Sequence, residues 1–557
     1  MGSVKRLYLY TVAAISLLVL AVGIENLVAV ILAEIAGSLG GSVIAGESSG
    51  REQVSLAIAL VVVGAPVFAI HWWLIVRGWR GTDQAAADDR RSAIRGFHMA
   101  LVATVSLGFA LYAAQRLVGA ALAAILGVAP AETPDTGDIA LLVVAVPVWW
   151  LHMARRNADL RHDRLDGVAA WVTRLNRYVW MFIGLMTLLI GASQLIQTVS
   201  MRLIGEPDIG SVGDWSVRLV ASSFAMIVTG LVVWWLLASD ARNAIRDAAV
   251  IGEDDRASAL RAAYFGAVLL VALASAGLTV ASAFTSLGRI LLGVADETGV
   301  RAFMESVVGP LLVAVPFVLA GWLHWRAMRS EAAEAGEPAI AGAERLLLHL
   351  TALVGIVFLS VGAARLAASL LEMALGRSGA DDLFLGELAW CSAQIVVGAV
   401  LWLPAWSALV RRRAIAPIRE RLATTARAYL LLVVGGALVG VVPSAVFALS
   451  RLIDDVLGSE TTNFASDLPI PLAIIMVGSV VAAYHGRLVI SDLRLAAARL
   501  PAAAAPSVTD QRIGTASPAM GPASLALVLR GEVGDDLEAV VAALRDHLPP
   551  GVQLEGA

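Results

Sequence analysis

Cysteine and lysine are almost missing from this chain of 557 residues, which contains one cysteine, Cys391, and one lysine, Lys5. A single cysteine excludes an intramolecular disulfide framework and a cysteine-rich metal site. No phosphate-binding glycine loop followed by lysine, no His-Glu-x-x-His and no Cys-x-x-Cys occurs either. The sequence therefore predicts no catalytic residue, no cofactor and no metal site, and an enzyme is the less favoured class.

Charged residues are also scarce. They make up 15% of the chain against 59% hydrophobic residues, and the mean hydropathy is +0.79. The apolar residues form long runs without alternation, which predicts an all-α integral membrane protein rather than a barrel. About twelve transmembrane helices are expected, at residues 8–34, 54–76, 97–127, 139–153, 177–204, 217–238, 262–293, 308–327, 346–375, 389–410, 428–455 and 468–488. The fourth run is short, so its helix is expected to begin inside the flanking loop.

Arginine alternates between the loops. Every second loop is rich in arginine, whereas the other six contain only Arg51, Arg301 and Arg377. The positive-inside rule then predicts a multi-pass membrane protein with both termini in the cytoplasm. The net charge of −4 hides this asymmetry and favours no nucleic-acid partner.

The chain repeats one pattern six times, with an arginine and an aromatic residue or histidine before one apolar run and a tryptophan-rich or tyrosine–histidine closing after the next. These repeats predict six tandem two-helix hairpins. A histidine recurs in every second closing, which predicts three parallel four-helix units at residues 1–166, 167–343 and 344–499 and a body with pseudo-threefold character.

The Arg-Leu-Tyr-Leu-Tyr opening at Arg6–Tyr10 and the repeated Trp/His closings resemble an uncharacterised bacterial tandem-repeat membrane family, a domain of unknown function. The resemblance covers about residues 5 to 490. Leu237 and Ala405 depart from it, because they stand where other closings have histidine. The resemblance implies the repeated helical fold and a place in the bacterial inner (cytoplasmic) membrane, and it carries no activity with it.

The composition changes after residue 499. Residues 500–523 are rich in alanine, proline and serine or threonine, which predicts a flexible linker. Residues 524–557 predict a small cytoplasmic β-α-β-like segment. About 35 residues cannot bury a sufficient core alone, so we expect this segment to bind the membrane body, a partner protein or a second copy of the chain.

Four histidines stand near the arginine-rich ends of even-numbered helices: His71, His152, His324 and His485. Imidazoles inside a helical bundle can sense pH, relay protons or bind a metal or haem. The same depth is also where amphipathic rings anchor a protein in the membrane interface. The interfacial role is the favoured reading, and we expect these histidines to bind no metal or haem.

Polar residues recur in the distal part of the odd-numbered helices. The residues that we select as candidate ligand-binding groups are Arg116, Arg365, Arg451, Glu25 and Gln194. Most such residues follow the opening arginine by about twenty residues, which is roughly 30 Å of helix and the full thickness of the hydrocarbon core. They either form a polar vestibule at the outer ends or extend into the outer interface as lipid anchors.

Two classes of function remain open, of which the sequence slightly favours the first. In the first, the bundle has a transport-like role or binds a ligand or membrane lipid through the outer vestibule. In the second, it is a non-catalytic membrane scaffold or sensor that signals through its cytoplasmic tail. The absence of mid-depth carboxylates and of inverted repeats weighs against transport, and the many membrane arginines weigh against a pure scaffold.

The loop charges predict the membrane topology directly. In a cysteine-free background, single cysteines at Ser42, Thr136 and Ser459 should react with an impermeant thiol reagent added to intact cells. A cysteine at Ser330 should react only after the membrane is opened. Labelling at Ser330 in intact cells would contradict the predicted orientation.

Overall fold

The computed structural model of the protein describes residues 3–38, 47–79, 84–128, 136–162, 167–204, 213–246, 255–256, 258–297, 299–375, 381–456 and 464–498. The chain divides into two compact units, Met1–Arg499 and Leu500–Ala557. All described residues belong to the first unit. The predicted linker and the predicted β-α-β-like segment lie outside the described residues.

Twelve helices in the described part of the chain are long and apolar enough to cross a membrane, which confirms the prediction of a multi-pass helical protein. We label them α1 (Ser3–Ser38), α2 (Glu47–Trp79), α3 (Ala93–Ile125), α4 (Thr136–His162), α5 (Gly167–Ile204), α6 (Gly213–Arg246), α7 (Ala259–Leu291), α8 (Val300–Ala335), α9 (Glu337–Ala374), α10 (Asp381–Ile415), α11 (Thr424–Val456) and α12 (Pro469–Ala497). The fourth helix has 27 residues and begins at Thr136, so it is longer than its apolar run.

Each helix has a long middle without charge. The stretch without Asp, Glu, Lys or Arg extends over residues 262–288 in α7 and, at its shortest, over residues 139–154 in α4. In hydrocarbon a helix satisfies its own backbone hydrogen bonds, so an uncharged run of this length is stable only as a helix. Charged side chains are thereby confined to the two ends of the body.

Glycine ends α3 and α7 in the same way. Gly127 and Gly293 have φ angles of 73° and 74°, which a residue without a Cβ adopts freely. In both turns the next residue, Val128 or Val294, donates its N–H to a carbonyl of the last helical turn. The two turns are 166 residues apart, so even the helix ends follow the repeat.

Glycine also brings helix backbones into contact. Gly64, Gly230 and Gly398 occupy equivalent positions in α2, α6 and α10. A Cβ added to Gly64 would lie 2.9 Å from the backbone nitrogen of Leu20, and one added to Gly230 would lie 2.5 Å from that of Leu188. These distances leave no room for a side chain. We divide the helices into three groups of four, α1–α4, α5–α8 and α9–α12. The first two helices of each group therefore cross at the same close contact.

The twelve helices form a row rather than a closed ring. Within each group of four, the first helix packs on the second, third and fourth, and the third helix packs on the first two helices of the next group. The described residues form no extensive contact between α1–α4 and α9–α12. The predicted pseudo-threefold body is therefore wrong for this part of the chain, because equal repeats that step along a line do not return to their start. The helices at the ends of the row, α2, α11 and α12, are the least buried.

The glycine contact predicts a matched pair of effects. Gly398→Ala places a methyl group against the backbone of α9 and should destabilise the protein by about 1–3 kcal/mol, because the two helices must separate. Gly436→Ala in α11 adds the same methyl group where nothing lies within 4 Å and should be neutral or slightly stabilising. Thermal unfolding of the detergent-solubilised protein measures both. Equal effects would contradict the contact.

Candidate functional site: ion-pair networks at the arginine-rich end

The first network joins α1, α3 and α4 through five polar side chains. Arg6 forms an ion pair with Asp89 at 2.9 Å, and the Tyr10 hydroxyl donates to the other oxygen of Asp89 at 3.1 Å. Arg95 donates to the Tyr10 hydroxyl at 2.9 Å and to both oxygens of Asp159 at 2.7 and 3.0 Å. Arg95 and Asp89 are each only 1% exposed. The result is a continuous buried chain of polar contacts across the end of the first group.

The second network repeats this connectivity in α5, α7 and α8. Arg174 donates to Asp255 at 2.9 Å, and the Tyr178 hydroxyl donates to the second oxygen of Asp255 at 3.0 Å. Arg261 donates to the Tyr178 hydroxyl at 3.0 Å and binds Glu331 with two nitrogens, one of them at 2.8 Å. Every member has a counterpart of the same chemical type in the first network.

The third network keeps both acids and the opening arginine, and it changes only the partners of the last acid. Arg345 of α9 binds Glu420 with two hydrogen bonds of 2.9 Å. Ala426 stands where the other groups have Arg95 and Arg261, so the last acid, Asp492, cannot be held in the same way. Two other arginines bind Asp492 instead, at 2.8 and 2.6 Å: Arg413 and Arg421.

Electrostatics explains why these groups are always paired. A buried charge without a partner costs several kcal/mol, whereas a bidentate arginine–carboxylate pair recovers most of that cost. Glu420, outside the membrane-spanning segments, shows the effect. Burial alone would raise the pKa of Glu420, but the hydrogen bonds and positive charge of Arg345 outweigh it and hold the pKa below its usual value.

The four predicted histidines make one bond in common. Each Nδ1 lies 2.7–3.0 Å from the carbonyl oxygen four residues earlier, in the pairs His71–Val67, His152–Val148, His324–Ala320 and His485–Val481. Because a carbonyl oxygen only accepts, Nδ1 carries a proton, and in the neutral ring Nε2 then presents its lone pair. His71 is half-buried, and the other three are buried within the body.

In three of the four histidines, a tyrosine hydroxyl lies within hydrogen-bonding distance of Nε2. The hydroxyl of Tyr264 lies 2.9 Å from Nε2 of His324, that of Tyr429 lies 3.3 Å from His485, and that of Tyr8 lies 3.3 Å from His71. These bonds join α2, α8 and α12 to the odd-numbered helix that precedes each of them. The described residues contain no group of three or more His, Cys, Asp or Glu side chains arranged to hold a metal ion.

The remaining histidine, His152, faces another histidine. His98 stands three residues after Arg95, at the position that Tyr264 occupies after Arg261. The rings of His98 and His152 are 5.8 Å apart, and the Nε2 atoms of both are buried without a hydrogen-bond partner among the described residues. The first group therefore lacks the Tyr–His bond that the other groups have here.

The three distal arginines selected from the sequence are all paired with a carboxylate near the start of the next long helix. The pairs and their shortest distances are Arg116–Asp138 at 2.9 Å, Arg365–Glu387 at 3.0 Å and Arg451–Asp467 at 3.4 Å. Glu25 is half-buried in α1, and Gln194 is exposed on α5. The structure thus places the three selected arginines in three separate helix pairs. Beside each arginine lies an acid that offsets its positive charge.

A polar cavity does lie at the end of one odd-numbered helix, opposite the arginine-rich end of the body. It has a volume of about 390 Å³ and lies between α7 and α8, where Arg289 is bonded to Asp296 at 3.1 Å. Its opposite wall includes Glu305 and Ser306, which belong to a π-helical turn at Met304–Val308. Short π-helical segments frequently mark functional sites.

A family model described as a domain of unknown function, DUF5671, matches the chain three times in tandem, over residues 6–138, 174–319 and 345–480. The chain belongs to the DUF5671 family. The three matches begin at Arg6, Arg174 and Arg345, the equivalent arginines that open the three networks. This result confirms the predicted resemblance and the internal repeats. No curated protein and no solved structure matches the chain.

The network acids of the DUF5671 repeats were missed by the sequence reasoning, although a signal for them was present. Asp89 and Asp255 each precede the central arginine of their network by six residues, and Glu420 precedes Ala426 by the same distance. The last acids follow the closing histidines by seven residues, in the pairs His152–Asp159, His324–Glu331 and His485–Asp492. Constant offsets across three repeats would have identified these carboxylates as recurring partners of the network arginines.

A substitution in the second DUF5671 repeat tests whether the networks hold the helices together. Arg261→Gln leaves Glu331 and the Tyr178 hydroxyl without their buried cation and should cost about 3 kcal/mol of stability. Arg256→Gln removes an exposed pair with Glu334 and should cost little. Chemical unfolding in detergent, followed by tryptophan fluorescence, measures both. Similar small losses would show that the buried network contributes no more than a surface pair.

The His–His contact of the first repeat predicts a stabilising substitution. His98→Tyr should supply the hydroxyl that His152 lacks and raise stability by about 1 kcal/mol, the usual net value of a hydrogen bond. Tyr264→Phe, which removes the same bond from the second repeat, should lower stability by a similar amount. Thermal unfolding midpoints check both. A loss of stability in His98→Tyr together with no change in Tyr264→Phe would refute the equivalence of the two sites.

Proposed function

We propose that this DUF5671 protein is a rigid, non-catalytic membrane scaffold rather than a carrier. The observation that supports this proposal best is the separation of charge. Paired guanidinium and carboxylate groups lie at both ends of the body, and the middle of every helix is free of charge.

A carrier that couples to protons or ions needs polar or ionisable groups near the middle of the membrane. Here the charged networks are satisfied by their own partners, and the backbone contacts at Gly230 and Gly398 resist sliding of neighbouring helices. Fully satisfied polar networks make a structure rigid. These features suit a body that holds a fixed shape.

The scaffold reading fits a topology of six hairpins in three four-helix units, in which both termini and the arginine-rich end face the cytoplasm of a bacterial cell. Membrane lipids would surround the row. The segment after residue 499 would then be the part that binds a protein partner or a second copy of the chain.

The cavity between α7 and α8 supports a second candidate function, the binding of a small polar ligand at the outer end. Arg289 lines the cavity, and Glu305 and Ser306 in the π-helical turn provide acceptors on the opposite side. In this alternative, Arg116, Arg365 and Arg451 would line further outer sites only if a ligand displaced their carboxylate partners.

Distance measurements at the two ends separate a scaffold from a carrier. Spin labels at Ser330 and Ala497 report on the arginine-rich end, and labels at Leu126 and Leu292 report on the opposite end; all four positions are exposed. Double electron–electron resonance is recorded in proteoliposomes with and without a pH gradient and a membrane potential. The background substitution is Cys391→Ala.

A scaffold should give one narrow distance distribution at each end under all conditions. Arg261→Gln serves as the positive control, because loosening of the second network should broaden the distribution between Ser330 and Ala497. Reciprocal changes at the two ends, one opening while the other closes, would contradict the scaffold and favour a transport-like cycle.

A further inference from the structure

An arginine-lined cavity lies beside α12 at the arginine-rich end. Its volume is about 620 Å³, and it is lined by Arg421, Arg487, Ile490, Ser491, Arg494 and Leu495. It is larger than the outer cavity between α7 and α8. Three guanidinium groups and no carboxylate line this cavity, which is the opposite of the acid-rich outer cavity.

The altered third network holds Arg421 at the wall of this cavity. Without a guanidinium at Ala426, Asp492 binds Arg421, whose Nε lies 2.6 Å from the carboxylate and whose terminal nitrogen donates to the hydroxyl of Ser491. Arg413 binds the same carboxylate at 2.8 Å and balances its charge. Arg421 is therefore held at the cavity wall, and its side chain has already lost much of its freedom.

The other two arginines are held by no acid among the described residues. Arg487 and Arg494 are seven residues apart on α12, so they lie on one face of the helix about two turns apart. Both are exposed. This arrangement differs from that of the network arginines and the distal arginines, which all have carboxylate partners. The cavity thus combines one fixed guanidinium with two that are available to an anion.

The surroundings of the cavity are apolar and face outward. Ile490 and Leu495 line it, and Ile490 and Leu493 are 52% and 63% exposed on the surface of α12. Among the helices that the structure describes, α12 is one of the least buried, so the rest of the body covers little of this surface. A ligand that fits would have a compact anionic group joined to an apolar part.

We propose that this cavity binds the phosphate of an anionic phospholipid headgroup. Arginine matches phosphate oxygens with paired, charge-assisted hydrogen bonds, and three guanidinium groups can surround one phosphate. The acyl chains then run along α12 toward the middle of the membrane, past Tyr484 and Val480, which are 45% and 67% exposed on the same face of the helix as Arg487. Basic sites between helices at the cytoplasmic side are where such headgroups bind. The site is independent of the scaffold proposal, since it would serve a carrier equally well.

Native mass spectrometry of the full chain in detergent tests the proposal. The protein is titrated with phosphatidylglycerol, with phosphatidylcholine and with inorganic phosphate. The test variant is Arg487→Gln with Arg494→Gln. The matched control is Arg242→Gln with Arg411→Gln, which removes two exposed arginines from the same end of the body outside the cavity.

The test variant should bind phosphatidylglycerol at least about tenfold more weakly than the wild type, because two charge-assisted contacts are lost. The control variant should bind it as the wild type does, and both variants should unfold at the wild-type temperature. Equal weakening in both variants would overturn the site in favour of a general surface potential. Equal affinity for phosphatidylcholine, or equally tight binding of inorganic phosphate, would overturn the choice of an anionic lipid headgroup.

Discussion

A guanidinium group buried in a membrane body is stable only beside a carboxylate, and this requirement organises the arginine-rich end of the protein. Arg95 and Arg261 stand at the centre of their networks, and each binds a tyrosine hydroxyl on one helix and an acid on another. A single side chain thus fixes the relative positions of three helices. The charge-free middles of the helices contribute packing but provide no comparable directional contact.

The three repeats show which parts of this arrangement can change. The acid before the third helix of each group is kept in all three, as Asp89, Asp255 and Glu420, and each binds the arginine that opens its repeat. The central arginine is replaced by Ala426 in the third repeat, yet Asp492 is still paired. Compensation by other arginines indicates that the acid, once buried, must be neutralised, whereas the source of the positive charge is free to vary.

Much of the fold was predictable from the sequence. The length of each apolar run shows that it can span a membrane, the count of such runs gives the number of helices, and the recurring arginine and histidine define the repeat. The candidate site was less predictable. The sequence left Arg116 and Arg365 either in a shared vestibule or as lipid anchors, whereas each lies 2.9–3.0 Å from an acid near the start of the following long helix. Depth along a helix follows from residue number, whereas the partner of a side chain depends on helix rotation and packing, which hydropathy does not encode.

The path of the helices has a further consequence for how such proteins diversify. In a closed ring, adding or losing one group of helices changes the angle at every interface. In the row described here, the contact between α3 and the pair α5–α6 recurs between α7 and the pair α9–α10, and the described residues form no extensive contact beyond the neighbouring group. Gene duplication can therefore lengthen or shorten the chain by one repeat without altering the interfaces that remain, so the number of repeats is free to differ between relatives.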